Sequence, residues 1–360
     1  MLPYRSAKFG KFMEAAMKSV RFFVLTLTLL LLAGCAAPAA PAAEPCRYEL
    51  AAMDTFMTLT IYGLPDEEAQ AVLQQAAARI HQLEELLSVT SEDSEIYKAN
   101  HAGGEAVSLS ADTRELLSEA LALCRDTDGA LDVTIYPVVR AWGFTTGDYR
   151  VPEEAELAAL LEKVDDTQAR LDGNRLALPE GMELDLGAVA KGWTGDRLME
   201  LFREAGAASA IVELGGNVQA LGARPDGSPW RVAVQAPEGG YAGALEIADK
   251  AVITSGGYQR YFEQDGVTYC HIIDPATGRP ARTGLASVTV VADRGVRGDG
   301  LSTALFVMGR ERAEAYWREH PGFDFILLGE DGTAAITEGL EDCFSLCGAW
   351  ADRPLEIIRK

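Results

Sequence analysis

The chain has 360 residues, is 48% hydrophobic and 24% charged, and carries a formal net charge of −22. That composition can bury a sizeable core and is not that of a disordered chain. The acidic excess repels nucleic acid and anionic head groups, which excludes a nucleic-acid partner; an anionic substrate must be held by local donors or a metal.

The first 34 residues hold five basic residues and one acid, so the remainder carries 27 basic against 53 acidic residues, a formal charge of −26. Lys18 and Arg21 precede an apolar run from Phe22 to Ala33. It is too short for an ordinary membrane span but suits a signal-peptide core. The run ends in Leu32-Ala33-Gly34-Cys35, which is similar to a bacterial lipobox. Residues 1–34 therefore read as a lipoprotein signal peptide, with Met17 an alternative start, and Cys35 as the lipidated residue. An ordinary secretory signal with an accidental cysteine is the alternative. Residues 35–46 read as a Pro/Ala tether and residues 47–360 as one catalytic domain. The expected location is exported, held by the lipid alone at the outer face of the cytoplasmic membrane or at a periplasmic membrane face. Of the remaining cysteines, Cys124 reads as core, and an oxidising compartment permits a bridge between Cys343 and Cys347, or from either to Cys46.

Residues 48–62 read as one or two strands, and the apolar spacing of Val72, Ala76, Ile80, Leu83 and Leu87 predicts a helix from Pro65 to Leu87. Ser110 caps a predicted helix to Arg125, and Pro152 opens another to Lys163. Short strands are predicted at 175–178 and 182–186, then a helix from Ala188 to Ala205. Strands follow at 209–213, 217–222, 230–235, 245–254, 258–263, 267–273 and 286–292. Helices from Gly300 to Met308 and Arg310 to Glu319 precede strands at 324–328 and 333–336. Strands in runs with short turns predict an α+β fold: a compact, two-lobed domain of mostly antiparallel or mixed sheets flanked by helices.

Four segments concentrate Gly, Asp, Ser and Thr at element ends: Asp128 to Thr134 with Trp142-Gly-Phe144, Glu183 to Gly192, Thr254 to Tyr258 leading into His271 to Gly278, and Gly298 to Thr303. A glycine-bearing turn opening a helix aims N–H groups at an anion, and Lys191 would lie in its first turn. Taken alone, that segment reads better as a plain strand-to-helix turn with a surface lysine. Asp299 and Thr303, four apart at a helix start, offer a carboxylate and a hydroxyl, oxygen ligands suited to Mg²⁺ bound with a phosphate, although Asp299 alone reads as a cap. His271 is the histidine best placed to take a proton.

Eight motifs in order resemble the ApbE family of FAD:protein FMN transferases. They are Met53-Asp-Thr55, Ser94-Glu-Ile with Asn100, Gly129-Ala-Leu-Asp-Val-Thr134 with Trp142-Gly-Phe144, Asp185-Leu-Gly-Ala-Val-Ala-Lys-Gly192, Gly215-Gly-Asn217, Thr254-Ser-Gly256, His271-Ile-Ile-Asp-Pro-Ala-Thr-Gly278 and Asp299-Gly-Leu-Ser-Thr303. The resemblance implies FAD as substrate. Met53 would touch the isoalloxazine, and Ala130, Leu131 and Asp132 would bind the cofactor. Asp185 would hold the adenosine, Lys191 would lie near the phosphates, and Ser255, Gly256, His271 and Ile273 would line the site. The Ala188 carbonyl, Asp299 and Thr303 would ligate Mg²⁺. Thr90 aligns where the family often carries a stacking tyrosine, and Asp54 where it commonly carries glycine. The implied reaction is phosphoryl transfer: His271 or Asp274 deprotonates a Ser or Thr of an acceptor flavoprotein with a Ser/Thr-Gly-Ala-Ser/Thr-like segment, and AMP leaves. The alternatives are FAD hydrolysis to FMN and AMP, and a non-catalytic flavin-binding lipoprotein.

Overall fold

In a computed structural model of the chain, residues 44–360 are described; the signal peptide, Cys35 and most of the tether lie outside them. Pro45 to Lys360 form one compact unit. Its frame is a nine-stranded sheet whose strands lie side by side in chain order. They are β1 (Cys46–Ala52), β2 (Thr55–Tyr62), β3 (Ser209–Leu214), β4 (Asn217–Leu221), β5 (Ala251–Gly256), β6 (Leu285–Ala292), β7 (Phe323–Gly329), β8 (Ala334–Thr337) and β9 (Leu355–Ile358). Every neighbouring pair is antiparallel except β8 with β9. The α+β class and its mostly antiparallel sheet are as expected.

The sheet is covered on both faces, and the strands show it. All eight residues of β6 are buried. Val288 and Val290 point into the core beneath the helices, while Val291 packs in the core on the other face. Ile326 and Leu328 of β7 likewise alternate with Phe325 and Leu327, the period of two that a pleated strand imposes. The second core is closed by a separate three-stranded sheet (Trp230–Gln235, Tyr241–Ile247, Phe344–Leu346).

The helices are α1 (Asp66–Leu87), α2 (Glu95–Asn100), α3 (Ala111–Asp126), α4 (Tyr136–Ala141), α5 (Glu154–Leu161), α6 (Gly187–Glu204) and α7 (Gly295–Glu319). The apolar stripe of α1 buries Leu73, Ile80 and Leu83, and Asp66, Glu67 and Glu68 lie in its first turn, where the helix dipole favours acids. Ser110 caps α3 by accepting from the Thr113 N–H. Cys124 is buried in α3, as expected.

Several boundaries moved. The strand expected at 245–254 is two strands in different sheets, separated by a turn at Asp249 with φ +50°. Residues 182–186 form no strand; only Glu183 makes an isolated parallel bridge, to Ile135. The helix expected from Gly300 starts earlier, at Gly295, and the expected break after Met308 is a kink at Gly309 with φ +71°. All five described cysteines are free. The thiol of Cys343 donates to the Leu340 carbonyl and that of Cys347 to the Tyr241 carbonyl, so none of the bridges the sequence permits is formed among the described residues.

Candidate active site

The site is built where α6 and α7 cross. A Cβ on Gly192 would lie 2.2 Å from the Gly295 carbonyl oxygen and 2.8 Å from the Asp299 Cβ. Only a glycine lets the helices approach so closely. The Gly192 N–H, the donor that helix geometry assigns to the Ala188 carbonyl, donates to Asp299 Oδ2 at 2.8 Å. The Gly192 carbonyl accepts from Gln219 Nε2 of β4, also at 2.8 Å. Asp196, one turn further along α6, caps α7 by accepting from the N–H groups of Gly295 (2.6 Å) and Val296 (3.1 Å). Burial pushes the Asp196 carboxyl up to about 6, against the pull of those donors and of Arg294.

A cleft of about 450 Å³, within the usual range for ligand sites, opens over this crossing. Asp299 is 5% exposed. Desolvation raises its pKa, opposed by Lys191 and the Gly192 N–H. Thr303 lies one helical turn on; its hydroxyl is 3.2 Å from Ser255 Oγ, which meets Ser302 Oγ at 2.8 Å. Ala188, Asp299 and Thr303 therefore line one corner, an oxygen-rich donor set with a single carboxylate. Among the described residues no group of three His, Cys, Asp or Glu side chains could by itself hold a metal. A hard cation here would need phosphate and water to complete its shell, the usual habit of Mg²⁺.

Lys191 stands between the acids, close enough to lower the pKa of Asp185 and Asp299, and among the described residues no carboxylate pairs with it. The helix-start N–H groups are less free than the sequence implied. Gly187 donates to Asp185 Oδ1 at 2.8 Å, and Val189 and Ala190 both donate to the Leu186 carbonyl. Lys191 thus carries the positive charge of this turn, while its helix-start N–H groups at 187, 189 and 190 are already paired. The segment before it is pinned by Asn100, which donates to the Leu184 carbonyl and accepts from its N–H. That pinning explains why the short α2 matters to the site.

His271 reaches the cleft from the far side. Its Nδ1 lies 3.1 Å from the Arg260 carbonyl. A carbonyl only accepts, so Nδ1 carries the proton and Nε2 is left as the basic nitrogen. Desolvation, with Arg260 and Lys191 nearby, lowers its pKa to about 4. Asp274 is not among the cleft-lining residues. Its carboxylate accepts from the Ala276 N–H and the Thr277 hydroxyl, bracing its own turn.

Met53 and Asp54 form a two-residue turn closing the β1–β2 hairpin, both with positive φ (50° and 59°). Such a turn favours Asn-Gly, and Met is strained there. The strain is held by the Met53 N–H on Glu84 Oε1 (2.5 Å) and by Thr194 Oγ1 against the Met53 sulfur (3.8 Å). Both turn residues line the cleft.

Ala130, Leu131 and Asp132 also line it, but Asp132 is 7% exposed and its Oδ1 accepts from the Thr134 N–H and hydroxyl. The Ala130 and Leu131 N–H groups are taken by Thr127, which leaves their carbonyls for a ligand. Ser255 and Ile273 line the cleft, whereas Gly256 and Thr90 do not. Thr90 is exposed beside Ser88, and Val89 takes the lining position.

Arg260 and Asn217 also line the cleft and carry no prior assignment. No sequence signal marks Arg260, which sits between two short strands and donates to the Phe144 carbonyl. Asn217, 3% exposed, follows a Gly-Gly turn, and its buried side-chain amide bears on the Asp299 carboxylate, adding to the pull that holds that group's pKa down against desolvation.

A model of the ApbE family matches residues 53–327. The FAD:protein FMN transferase of Vibrio cholerae is 37% identical over 82% of this chain and 89% of its own length. That of Treponema pallidum is 35% identical over 83% and 88%. Among solved structures, the ApbE protein of Thermotoga maritima superposes with a TM-score of 0.79 at 30% identity, covering 83% of this chain and 99% of its own. The flavinyl transferase ApbE of Pseudomonas stutzeri gives 0.76 at 30% identity over 85% and 98%.

Proposed function

The chain belongs to the ApbE family, and from that premise we propose that it is a magnesium-dependent FAD:protein FMN transferase. It would move FMN from FAD onto a Ser or Thr hydroxyl of an exported or membrane redox protein and release AMP. The observation that carries this reading is the corner where the buried Asp299, the Thr303 hydroxyl and Lys191 meet in one cleft with a neutral His271. Capture of a flavin would need no such set.

Bound by the Ala188 carbonyl, Asp299 and Thr303, Mg²⁺ would neutralise charge on the pyrophosphate oxygens. Lys191 adds a fixed positive charge beside the same oxygens. His271 Nε2 takes the proton of the acceptor hydroxyl, whose oxygen forms the new bond to the FMN phosphorus. The bond from that phosphorus to the bridging oxygen breaks, and its electron pair leaves with AMP. Asp274 is occupied by its own turn, so His271 is the better base. Asp185 would hold the adenosine part, and Met53, Ala130, Leu131, Asp132, Ser255 and Ile273 the rest of FAD.

Lipidation at Cys35 would tether the enzyme at the outer face of the cytoplasmic membrane or at a periplasmic membrane face, beside acceptors bearing a Ser/Thr-Gly-Ala-Ser/Thr-like segment. Among the described residues no helix is long and apolar enough to cross a membrane, so the lipid would be the attachment. The test incubates the domain with FAD, Mg²⁺ and such a peptide and weighs the products. A peptide heavier by FMN, with one AMP per label and none under EDTA, is expected. Free FMN and AMP with an unchanged peptide would mean a hydrolase, and intact FAD would mean a binding protein.

A further inference from the structure

We propose that Glu84 is a positioning residue of this site: its carboxylate accepts the Met53 N–H and so holds the Met53-Asp54 turn in the shape that makes it a wall for the flavin ring. The inference rests on the reading of the cleft as an FAD site with Met53 at the isoalloxazine. It assigns a residue to which that reading gives no role.

Met53 and Asp54 join β1 to β2, and the innermost pair of the ladder is Ala52 with Thr55. The Met53 N–H therefore has no strand partner and is left for a group outside the hairpin. At φ +50° and +59° both turn residues sit in the left-handed region, which favours Gly and Asn. A methionine stays there only where its surroundings fix it, and such outliers gather at ligand sites. Met53, Asp54 and Thr55 all line the cleft.

Glu84 supplies the fixing. It lies on α1, 31 residues along the chain, and its Oε1 accepts the Met53 N–H at 2.5 Å. A carboxylate makes a stronger bond to an amide donor than a neutral acceptor does. Its other oxygen is 3.3 Å from His81 Nδ1, three residues back on the same helix. The far end of Met53 is held by α6: Thr194 Oγ1 meets the sulfur at 3.8 Å and is itself bonded to the Ala190 carbonyl at 2.8 Å. The thioether is thus set between two helices, by α1 at its backbone and by the Lys191-bearing helix at its sulfur. Glu84 is not among the cleft-lining residues, so it acts through Met53. A thioether is soft, polarisable surface that packs on an aromatic ring, which suits the flavin and not the pyrophosphate.

The test measures binding of FAD and riboflavin by flavin fluorescence, and of ADP by calorimetry, to the full chain in Mg²⁺. Glu84→Ala is expected to weaken FAD and riboflavin alike, by about tenfold, and to leave ADP unchanged. Glu84→Gln keeps an oxygen that can accept the Met53 N–H and is expected to recover most of that loss. Met53→Gly adopts the turn unaided and lacks the thioether. In that background Glu84→Ala is expected to change riboflavin binding no further. The proposal is overturned if Glu84→Ala binds riboflavin as wild type does, or if ADP weakens with the flavins, which would mean a general loosening of the domain. It is also overturned if Glu84→Gln loses as much as Glu84→Ala, or if the loss persists in full without the thioether. Wild-type protein that binds no FAD would instead end the functional reading beneath it.

Discussion

The two faces of the nine-stranded sheet are packed to the same depth but with different chemistry. On the face away from the helices, Trp230, Val232, Leu245, Val291, Ile326, Leu328, Phe344 and Trp350 form the core, and the buried polar groups that the sheet's pleat directs there with Val291 are the hydroxyls of Ser287 and Thr289. On the helix face, Asp196, Asn217, Gln219, Asp299 and Ser302 are buried between α6, α7 and the same strands. Taking charges and amides out of water is costly, so a fold optimised only for stability would not place these groups there. The comparison separates the half of the molecule that holds the sheet from the half that uses it.

The largest effect should come from striking each face in turn. Phe344→Ala removes a buried ring from the apolar face and should cost about 3–5 kcal/mol of unfolding free energy, while activity per folded molecule stays near wild type. Gly192→Ala puts a methyl against the Gly295 carbonyl and Asp299. It should cost about 1–3 kcal/mol and yet abolish most of the transfer, because the oxygen corner is displaced. Urea titrations run alongside activity assays separate the two outcomes. Equal activity losses for equal stability losses would erase the distinction between the faces.

A smaller effect is expected in the pH dependence of stability. His271 has a folded pKa of about 4, below its unfolded value of 6.5. The folded state binds fewer protons there, so its contribution is lost as pH falls from 6.5 toward 4. Asp196 has a folded pKa of about 6, above the ordinary 3.8. Its contribution is present below 3.8 and lost as pH rises through 6. His271→Gln should therefore flatten the acid-side loss of stability, and Asp196→Asn should steepen it. Melting temperatures between pH 4 and 7 would show the opposite signs; a common sign would contradict the assignment of either group.

The smallest effect concerns the strained turn. Asp54→Gly relieves a positive φ of 59° and should raise stability by about 1 kcal/mol. It also removes a carboxylate from the cleft, so FAD should bind more tightly rather than more weakly. Weaker binding would mean that Asp54 itself contacts the ligand or its metal.

Much of this was legible beforehand, for physical reasons. The helix from 66 to 87 announces itself by apolar spacing, and the oxygen corner by Asp299 and Thr303 one turn apart. The motif around Lys191 marked a ligand turn, but not that Asp185 and Leu186 would claim its N–H groups. Gln219 and Arg260 were silent, and Asn217 was marked only as the end of the Gly215-Gly-Asn217 motif with no role, because polar residues in strands and loops carry no period that says which way they face. Asp274 and Thr90 fell outside the cleft because each is satisfied locally: the Asp274 carboxylate by the Ala276 N–H and the Thr277 hydroxyl, and Thr90 by the Ser88 hydroxyl. The strand expected at 245–254 breaks at the polar pair Asp249-Lys250, and the one expected at 267–273 breaks at His271, neither of which is a turn signal by itself.

The most direct measurement of the central claim is made on Asp299→Ala, reading unfolding stability and FMN transfer to an acceptor peptide in the same preparation. The account predicts a protein at least as stable as wild type, because a desolvated carboxylate has been removed, with transfer reduced by at least about a hundredfold. Transfer at the wild-type rate would contradict the claim that the buried acid of the helix crossing is the centre of the reaction.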